Sequence, residues 1–426
     1  MNPKEQQPIE NNLTTLPLPL RPGLRIPHTF RALGHRNFRL YWCGQLVSLI
    51  GTLMQTVGQG WLVYTLSGST LALGVVGFAQ FFPMLVLAPV GGVLADRVSK
   101  RHLLLLTQAG MAVLALALGL LTSLGLVQVW HVVALALLFG TLNAFDAPAR
   151  QAFVVELVGK EDLMNAIALN SSAFNGARLL GPAVAGVLIA PLGVASLFYL
   201  NALAFLAIIV NLLRIRLPPF SKPPASSPWD SLLEGVHYLK EHKTLQALLS
   251  LIAASSVFGM AYVTLLPALV TDVLHSDASG YGFLMSAVAI GGLVAAFGLA
   301  SAAGQRRKGV VLTWGNVTFS ALLIVFSLSH LFWFSWLCLI GVGWGFLTQN
   351  ATTNTLIQTL VPDALRGRVM SAFTWVLGGM FPIGSLIAGT LASWWGTDKA
   401  ILVMALVLLS YSLWIMVFYP QVRRLS

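Results

Sequence analysis

Residues 38–420 read as apolar runs of about 20 residues separated by short polar breaks, the length that carries a helix across hydrocarbon. There are about twelve such runs, and lipid-exposed β structure is excluded because it must alternate apolar and polar residues. Composition points the same way. Of 426 residues 57% are hydrophobic and 9% charged, with a mean hydropathy of +0.80. A soluble domain carries roughly 25% charged residues. The expected fold is an all-α membrane protein with twelve transmembrane helices in two six-helix pseudo-symmetric halves.

The spans fall at 38–66, 71–95, 103–124, 130–157, 163–190 and 194–213, then at 245–271, 280–303, 310–328, 332–360, 369–394 and 400–419. Residues 1–37 form a basic tail expected to be disordered, with Pro17, Pro19, Pro22 and Pro27 breaking any helix and no apolar core suited to a signal peptide. Residues 38–213 are the first half, 214–244 a linker, 245–420 the second half and 421–426 a short tail. In the linker, Ser227-Pro228 resembles a helix start. Trp229, Leu232, Leu233, Val236 and Leu239 then make an amphipathic face suited to a membrane surface.

Basic residues gather in one of the two alternating sets of loops. Arg97, Lys100 and Arg101 follow span two, Lys160 follows span four, and Arg214, Arg216, Lys222, Lys240 and Lys243 occupy the linker. Arg306, Arg307 and Lys308 follow span eight, Arg366 and Arg368 follow span ten, and Arg423 and Arg424 end the chain. The opposite loops hold Lys399 and little else. The positive-inside rule therefore places both termini and the linker in the cytoplasm. The net charge of +11 is a topology signal, with no nucleic acid implied.

Several chemistries are excluded. Cys43 and Cys338 lie inside apolar runs and offer neither a disulfide framework nor metal-ligand spacing. His237 and His242 are five residues apart, wrong for one helical face. No P-loop occurs, Gly341, Gly343 and Gly345 follow no strand, and no nucleophile constellation is present. Neither metal, cofactor nor enzymatic activity is expected.

The halves repeat. Gly92-Val-Leu-Ala-Asp96-Arg97-Val-Ser-Lys100-Arg101 after span two matches Gly298 to Arg307 after span eight, where Ala302 replaces the acid. Gly181-Pro182 to Gly186 in span five is echoed by Pro382 to Gly389 in span eleven. Duplicated halves joined by one long loop suit a transporter rocking about a central site.

The first of these motifs resembles the loop signature of the major facilitator superfamily, G-x-L-A-D-R-x-G-R-R, with Ser99 where glycine is usual. Gly181-Pro182 with Ala185-Gly186 resembles the fifth-helix motif of its drug/proton antiporters. Asn143-Ala-Phe-Asp146-Ala-Pro148-Ala-Arg150 and Asn170-Ser-Ser-Ala-Phe-Asn175-Gly-Ala-Arg178 are similar to its enterobactin-exporter-like branch, the transmembrane secretion effectors. The resemblance implies a bacterial cytoplasmic-membrane transporter in which spans one, four, seven and ten surround a central cavity.

A gate is expected around Gly92, Asp96, Arg97, Arg101, Glu156, Gly181, Pro182 and Arg368. Gly92 allows close helix approach, and Asp96 can neutralise a helix N-terminus, which the resemblance identifies as span eleven near Arg368. Arg97 or Arg101 can pair with Glu156. Proton coupling is assigned to Asp146, Arg150 and Arg178, since ionised groups within spans are costly and this chain keeps few. Asp146 and Arg178 fall at similar depth and suit an ion pair. The pair is either a static brace or a switch in which Asp146 takes a proton and frees an arginine for substrate.

Gln45, Ser48, Thr52, Gln55 and Gln59 make one polar face on span one, and Asn350, Asn354 and Gln358 make another on span ten. Asn143, Asn175, Arg178, Phe258 and Tyr262 add polar or aromatic positions on spans four, five and seven. With Trp61 and Trp375 these are the expected substrate contacts. The function this implies is secondary active, proton-coupled efflux of an amphiphilic small molecule, either siderophore or drug-like. An uncoupled facilitator or uptake carrier and a non-transporting sensor are the alternatives. The partners are then a small-molecule substrate, protons and the lipid bilayer.

Overall fold

The computed structural model describes residues 28–217, 238, 239, 241–301 and 307–425. The amphipathic linker helix falls almost wholly outside these. Among the described residues twelve helices are long and apolar enough to cross a membrane. They are α1 (Arg36–Ser67), α2 (Thr70–Arg97), α3 (Lys100–Ser123), α4 (Val129–Val158), α5 (Leu163–Leu192) and α6 (Ala195–Arg214) in the first half. The second half holds α7 (Lys243–Asp272), α8 (Ala278–Ser301), α9 (Lys308–Ser327), α10 (Phe332–Leu360), α11 (Leu365–Trp395) and α12 (Thr397–Phe418). All twelve coincide with the apolar runs to within about one helical turn.

Two helices are interrupted. In α7 a π-helical turn spans Ser255–Gly259, where the Met260 amide donates to the Ser255 carbonyl at 2.8 Å. In α11 the helix breaks at Met380, and a second segment, Phe381–Trp395, starts with Pro382. The breaks face each other. A Cβ at Gly384 would stand 2.4 Å from the Val257 carbonyl oxygen, so α11 lies directly on the π turn.

Helix association in lipid depends on small residues that let backbones approach. In the first half a Cβ at Gly140 would fall 2.1 Å from the Gln80 carbonyl oxygen, and one at Gly91 2.3 Å from that of Ala144, joining α2 to α4. Gly291 against Ile340 and Gly343 against Val288 join α8 to α10 in the same way. On α1 the glycines recur every seven residues, at Gly44, Gly51 and Gly58, and receive α6.

Residues 28–37 correct the expectation of a disordered tail. His28–Gly34 is a 3-10 turn and α1 begins at Arg36. The segment is fixed to the loop between α4 and α5. Arg31 Nε lies 3.0 Å and His35 Nε2 2.8 Å from the Asp162 carboxylate, while the Ala32 amide donates to Asn165 Oδ1 at 2.9 Å. Basic residues placed by topology found an acidic loop within reach.

The halves meet along two related seams, α2 on α11 and α5 on α8. Gly74 lies on Gly389, and Gly282 on Gly186; a Cβ at Gly282 would stand 2.6 Å from the Gly186 Cα. Thr70 Oγ1 donates to the Gly389 carbonyl at 3.3 Å, and Ser279 Oγ to the Gly186 carbonyl at 3.0 Å. Tyr64 on α1 donates to Asp272 on α7, and Trp61 stacks on Tyr281 with centroids 6.3 Å apart. All these contacts lie toward the end away from residues 28 and 425. Each seam reaches partway along the helices, to Trp375 Nε1 donating to the Leu85 carbonyl (2.8 Å) and Ser286 Oγ donating to the Leu179 carbonyl (3.4 Å). At the basic end, which carries His28 and Leu425, the ends of the described chain, Asp96 and Arg97 in the last turn of α2 are exposed. Among the described residues the halves are thus joined at one end, while the last turn of α2 stands exposed at the other.

A side chain at Gly282 would strike backbone, which cannot yield. Gly282→Leu is therefore expected to force the closed end apart. Spin labels at Gln128→Cys and His330→Cys, on opposite halves and with Cys43 replaced by serine, should report a longer separation than in the unsubstituted seam. An unchanged distance would mean the glycine crossing does not hold that end shut.

Candidate functional site

Among the described residues the most deeply buried charge is Asp146 on α4, 1% exposed. Its Oδ1 accepts from Thr107 Oγ1 at 2.7 Å and Gln108 Nε2 at 3.0 Å, both on α3. Its Oδ2 forms an ion pair with Arg150 Nε at 2.7 Å, one turn along α4. Arg150 Nη2 also reaches Asn143 Oδ1 at 3.5 Å. The shared face of Asn143, Asp146 and Arg150 thus turns toward α3.

The expected Asp146–Arg178 pair is not formed. Spacing of four residues puts Arg150 beside Asp146 on the same helix, whereas Arg178 faces elsewhere. On α5, Gly181 packs on α1, its Cβ position 2.8 Å from Leu53 Cβ, and the Pro182 carbonyl lies against Gly282 of α8. Arg178 projects between those two directions, and its guanidinium carbon stands 5.8 Å from the Phe174 ring centroid. No carboxylate lies within 4 Å of it among the described residues. On α7 the Tyr262 hydroxyl is buried without a hydrogen-bond partner.

The polar face of α1 is a correction of a second kind. Gln55 Oε1 accepts from Asn201 Nδ2 on α6 at 2.7 Å, and Gln59 Nε2 donates to Gln80 Oε1 on α2 at 3.0 Å. Gln45, Ser48, Gln55 and Gln59 are all buried. The stripe borders the Gly44/Gly51/Gly58 face, so the close approach of α6 turns its amides to helix bracing. Gln55 and Gln59 each spend one amide group on a neighbouring helix in this conformation.

On α10, Gln358 Nε2 donates to Asn354 Oδ1 at 2.5 Å, while Asn350 and Asn354 are half-buried. Gln349, which sequence reasoning missed, is fully buried and bonds Ser255 Oγ at 2.7 Å. It adjoins Asn350 in sequence but points to the π turn of α7. A run of consecutive amides was its only sequence signal. Phe258 is half-buried within that turn, and Tyr262 meets Phe326 edge-on at 6.1 Å. Asn175 Nδ2 turns back to its own helix, onto the Ser171 carbonyl at 2.9 Å. Trp61 and Trp375 are inter-half contacts.

Among the gate residues, Glu156 pairs with Lys100 at 2.7 Å rather than with Arg97 or Arg101. Arg101 instead donates to the carbonyls of Leu212 (2.8 Å) and Leu213 (2.9 Å), tying α3 to the end of α6. Gly92 has nothing within 4 Å of its Cβ position; its neighbour Gly91 makes the close approach expected of it. Arg368 is half-buried in the first turns of α11, and Asp96 is exposed. Among the described residues no group of three or more potential metal ligands occurs.

Residues 28–424 match the transmembrane secretion effector family, spanning every described helix. The chain belongs to that family. It is thus a major facilitator superfamily transporter of the enterobactin-exporter-like branch, not an enzyme. Similar proteins include a staphyloferrin A transporter of Staphylococcus aureus, 26% identical over 91% of this chain and 97% of that one. The multidrug efflux pump Tap of Mycolicibacterium fortuitum is 28% identical over 89% and 97%. The enterobactin exporter EntS of Shigella flexneri is 26% identical over 80% and 81%. In fold, the chain resembles a bacterial homolog of the lysosomal transporter Spinster in an inward-facing, unoccupied conformation. The TM-score is 0.73 at 14% identity, covering 91% and 98% of the two chains.

Removing one member of a buried ion pair strands the other and costs about 3–5 kcal/mol. Asp146→Asn should therefore lower the thermal unfolding temperature of the purified transporter. Asp146→Asn/Arg150→Gln, which strands no charge, should recover part of the loss. A single variant as stable as the parent would show that the pair does not brace α4 on α3.

Proposed function

We propose that this transporter is a proton-coupled exporter in the bacterial cytoplasmic membrane that expels an amphiphilic small molecule, siderophore or drug-like, by alternating access. The observation that carries this reading is the pair of seams that join the halves at one end and leave the last turn of α2 exposed at the basic end. Positive-inside charge makes the basic end cytoplasmic, so the unjoined side faces the compartment from which an exporter loads. Export is further supported by similarity along most of the chain to a multidrug efflux pump and an enterobactin exporter.

Asp146 is the coupling carboxylate in this proposal. It is the described acidic residue buried deep within a span, and Thr107, Gln108 and Arg150 stabilise its charge here. Protonation requires that Arg150 be released or screened, which a change in α4 packing would accomplish. The proton enters when the far end is open and leaves when the basic end is open.

Everted membrane vesicles test this reading. A panel of siderophores and amphiphilic dyes should contain members taken up against their gradient when the lumen is acidified, and nigericin should abolish the accumulation. Asp146→Asn in correctly inserted protein should lose gradient-driven uptake while retaining exchange down a gradient. Accumulation indifferent to nigericin would remove proton coupling.

Asp96 acts when the basic ends close, by facing the N-terminus of α11 across the gap that now leaves it exposed. Asp96→Asn should insert normally and melt like the parent, because it loses no contact in this conformation, yet transport at a small fraction of the parental rate. Full-rate transport would remove Asp96 from the cycle.

A further inference from the structure

The two halves treat the same corner of the repeat differently. In the first half the start of α3 spends its cations within the protein. Arg101 donates to the Leu212 and Leu213 carbonyls of α6 at 2.8 and 2.9 Å, and Lys100 pairs with Glu156 of α4 at 2.7 Å. In the second half the counterpart corner sets the start of α9 against a C-terminal turn, Pro420–Arg423. Arg307 stands where Arg101 does in the repeat, and α10, the counterpart of α4, ends Leu356-Ile-Gln-Thr-Leu360 without an acid. Among the described residues no carboxylate lies within 4 Å of Arg307, Lys308, Arg423 or Arg424.

Backbone contact brings the four cations together. The Gly309 amide donates to the Leu425 carbonyl at 2.9 Å, and a Cβ on Gly309 would stand 2.1 Å from the Val422 carbonyl oxygen and 2.8 Å from that of Arg423. Val422 is buried, whereas Arg307, Arg423 and Arg424 are exposed and Lys308 is half-buried. Beside them runs a shallow crevice of about 290 Å³, its mouth included, whose lining includes Leu251, Leu312, Ile415, Met416, Tyr419 and Arg423. Trp414 on α12 packs on Phe418 and Tyr419, with centroids 5.4 and 5.8 Å away. Trp and Tyr favour the headgroup level of a bilayer, which sets the depth of this corner. Basic clusters at that level attract anionic lipid, and arginine's planar fork matches phosphate oxygens.

We propose that the corner of α9 and the C-terminal turn binds an anionic phospholipid of the cytoplasmic leaflet. Its phosphate is held by Arg307, Lys308, Arg423 and Arg424, and the top of one acyl chain lies along the crevice. A zwitterionic lipid is disfavoured, because its own cation meets four others. A soluble anion lacks the chain that the apolar lining receives. The site goes beyond the export reading and is independent of what is carried or what drives it.

The test uses the full-length transporter in phosphatidylcholine nanodiscs that contain a trace of photoreactive lipid. The probes are phosphatidylglycerol and phosphatidylcholine, each with a diazirine near the carbonyl end of one chain. Peptide mapping should find the phosphatidylglycerol probe on Leu312, Ile415 or Met416 at least about tenfold more than the other. Arg307→Gln/Lys308→Gln/Arg423→Gln/Arg424→Gln should reduce it to the phosphatidylcholine level. Arg214→Gln/Arg216→Gln, at the end of α6, should leave it unchanged. Gly309→Leu keeps every charge but forces the turn off α9, and should lower the labelling several-fold. Equal labelling by the two probes in the parent protein overturns the proposal. Undiminished labelling in Gly309→Leu also overturns it, since a diffuse attraction to basic charge would not need the turn in place.

Discussion

Four glycines hold the two halves together at one end: Gly74 against Gly389 and Gly186 against Gly282. Inside a membrane there is little hydrophobic gain from joining helices, so close van der Waals approach and interhelical hydrogen bonds must supply the attraction. At these crossings the absence of a side chain brings main chain onto main chain. Thr70 and Ser279 then add hydroxyl bonds to the carbonyls thus exposed. Everything else about the open site follows from where these crossings lie. Because they occupy the far end, the exposed last turn of α2 lies at the basic end, and Arg178 on α5 is half-buried.

Polar residues within the spans divide into two uses, and hydrocarbon enforces the division. Some amides are consumed in joining helices: Gln55 to Asn201, Gln59 to Gln80, Gln349 to Ser255, and Ser412 to Asn316 at 2.9 Å. Others stay half-buried around the interior, such as Asn350 and Asn354. The charged residues divide likewise. Asp146 and Arg150 neutralise each other while securing α4 to α3, and Arg178 remains electrostatically unspent.

Apolar run length alone placed every span, because a bilayer sets helix length more strictly than water does. The repeat was legible too, and Gly186 and Gly389, which close the two echoed stretches, make equivalent crossings. Helical periodicity was less informative about partners. It aligned Gln55 with Gln59 but could not tell that a glycine face alongside would draw α6 close enough to capture Gln55. Depth matching suggested Asp146 with Arg178, although depth says nothing about azimuth, and azimuth sent one to α3 and the other to the α1/α8 crevice. Gly92 was singled out by its motif, yet the neighbouring Gly91 makes the contact. The ordering of residues 28–34 depends on Asp162 and Asn165, more than a hundred positions away, and local composition carries no trace of such a tether.

Placement of the crossings near one end makes each half a lever. Gly74 stands 23 residues from Arg97, about 35 Å along α2 at the α-helical rise. A tilt of about 10° about that crossing would carry the basic end through about 6 Å, roughly the girth of a hydrocarbon chain. The mouth can therefore narrow by a molecular width while the backbone at the fulcrum scarcely shifts, and only small angular freedom is demanded of helices that are otherwise packed rigidly within their halves.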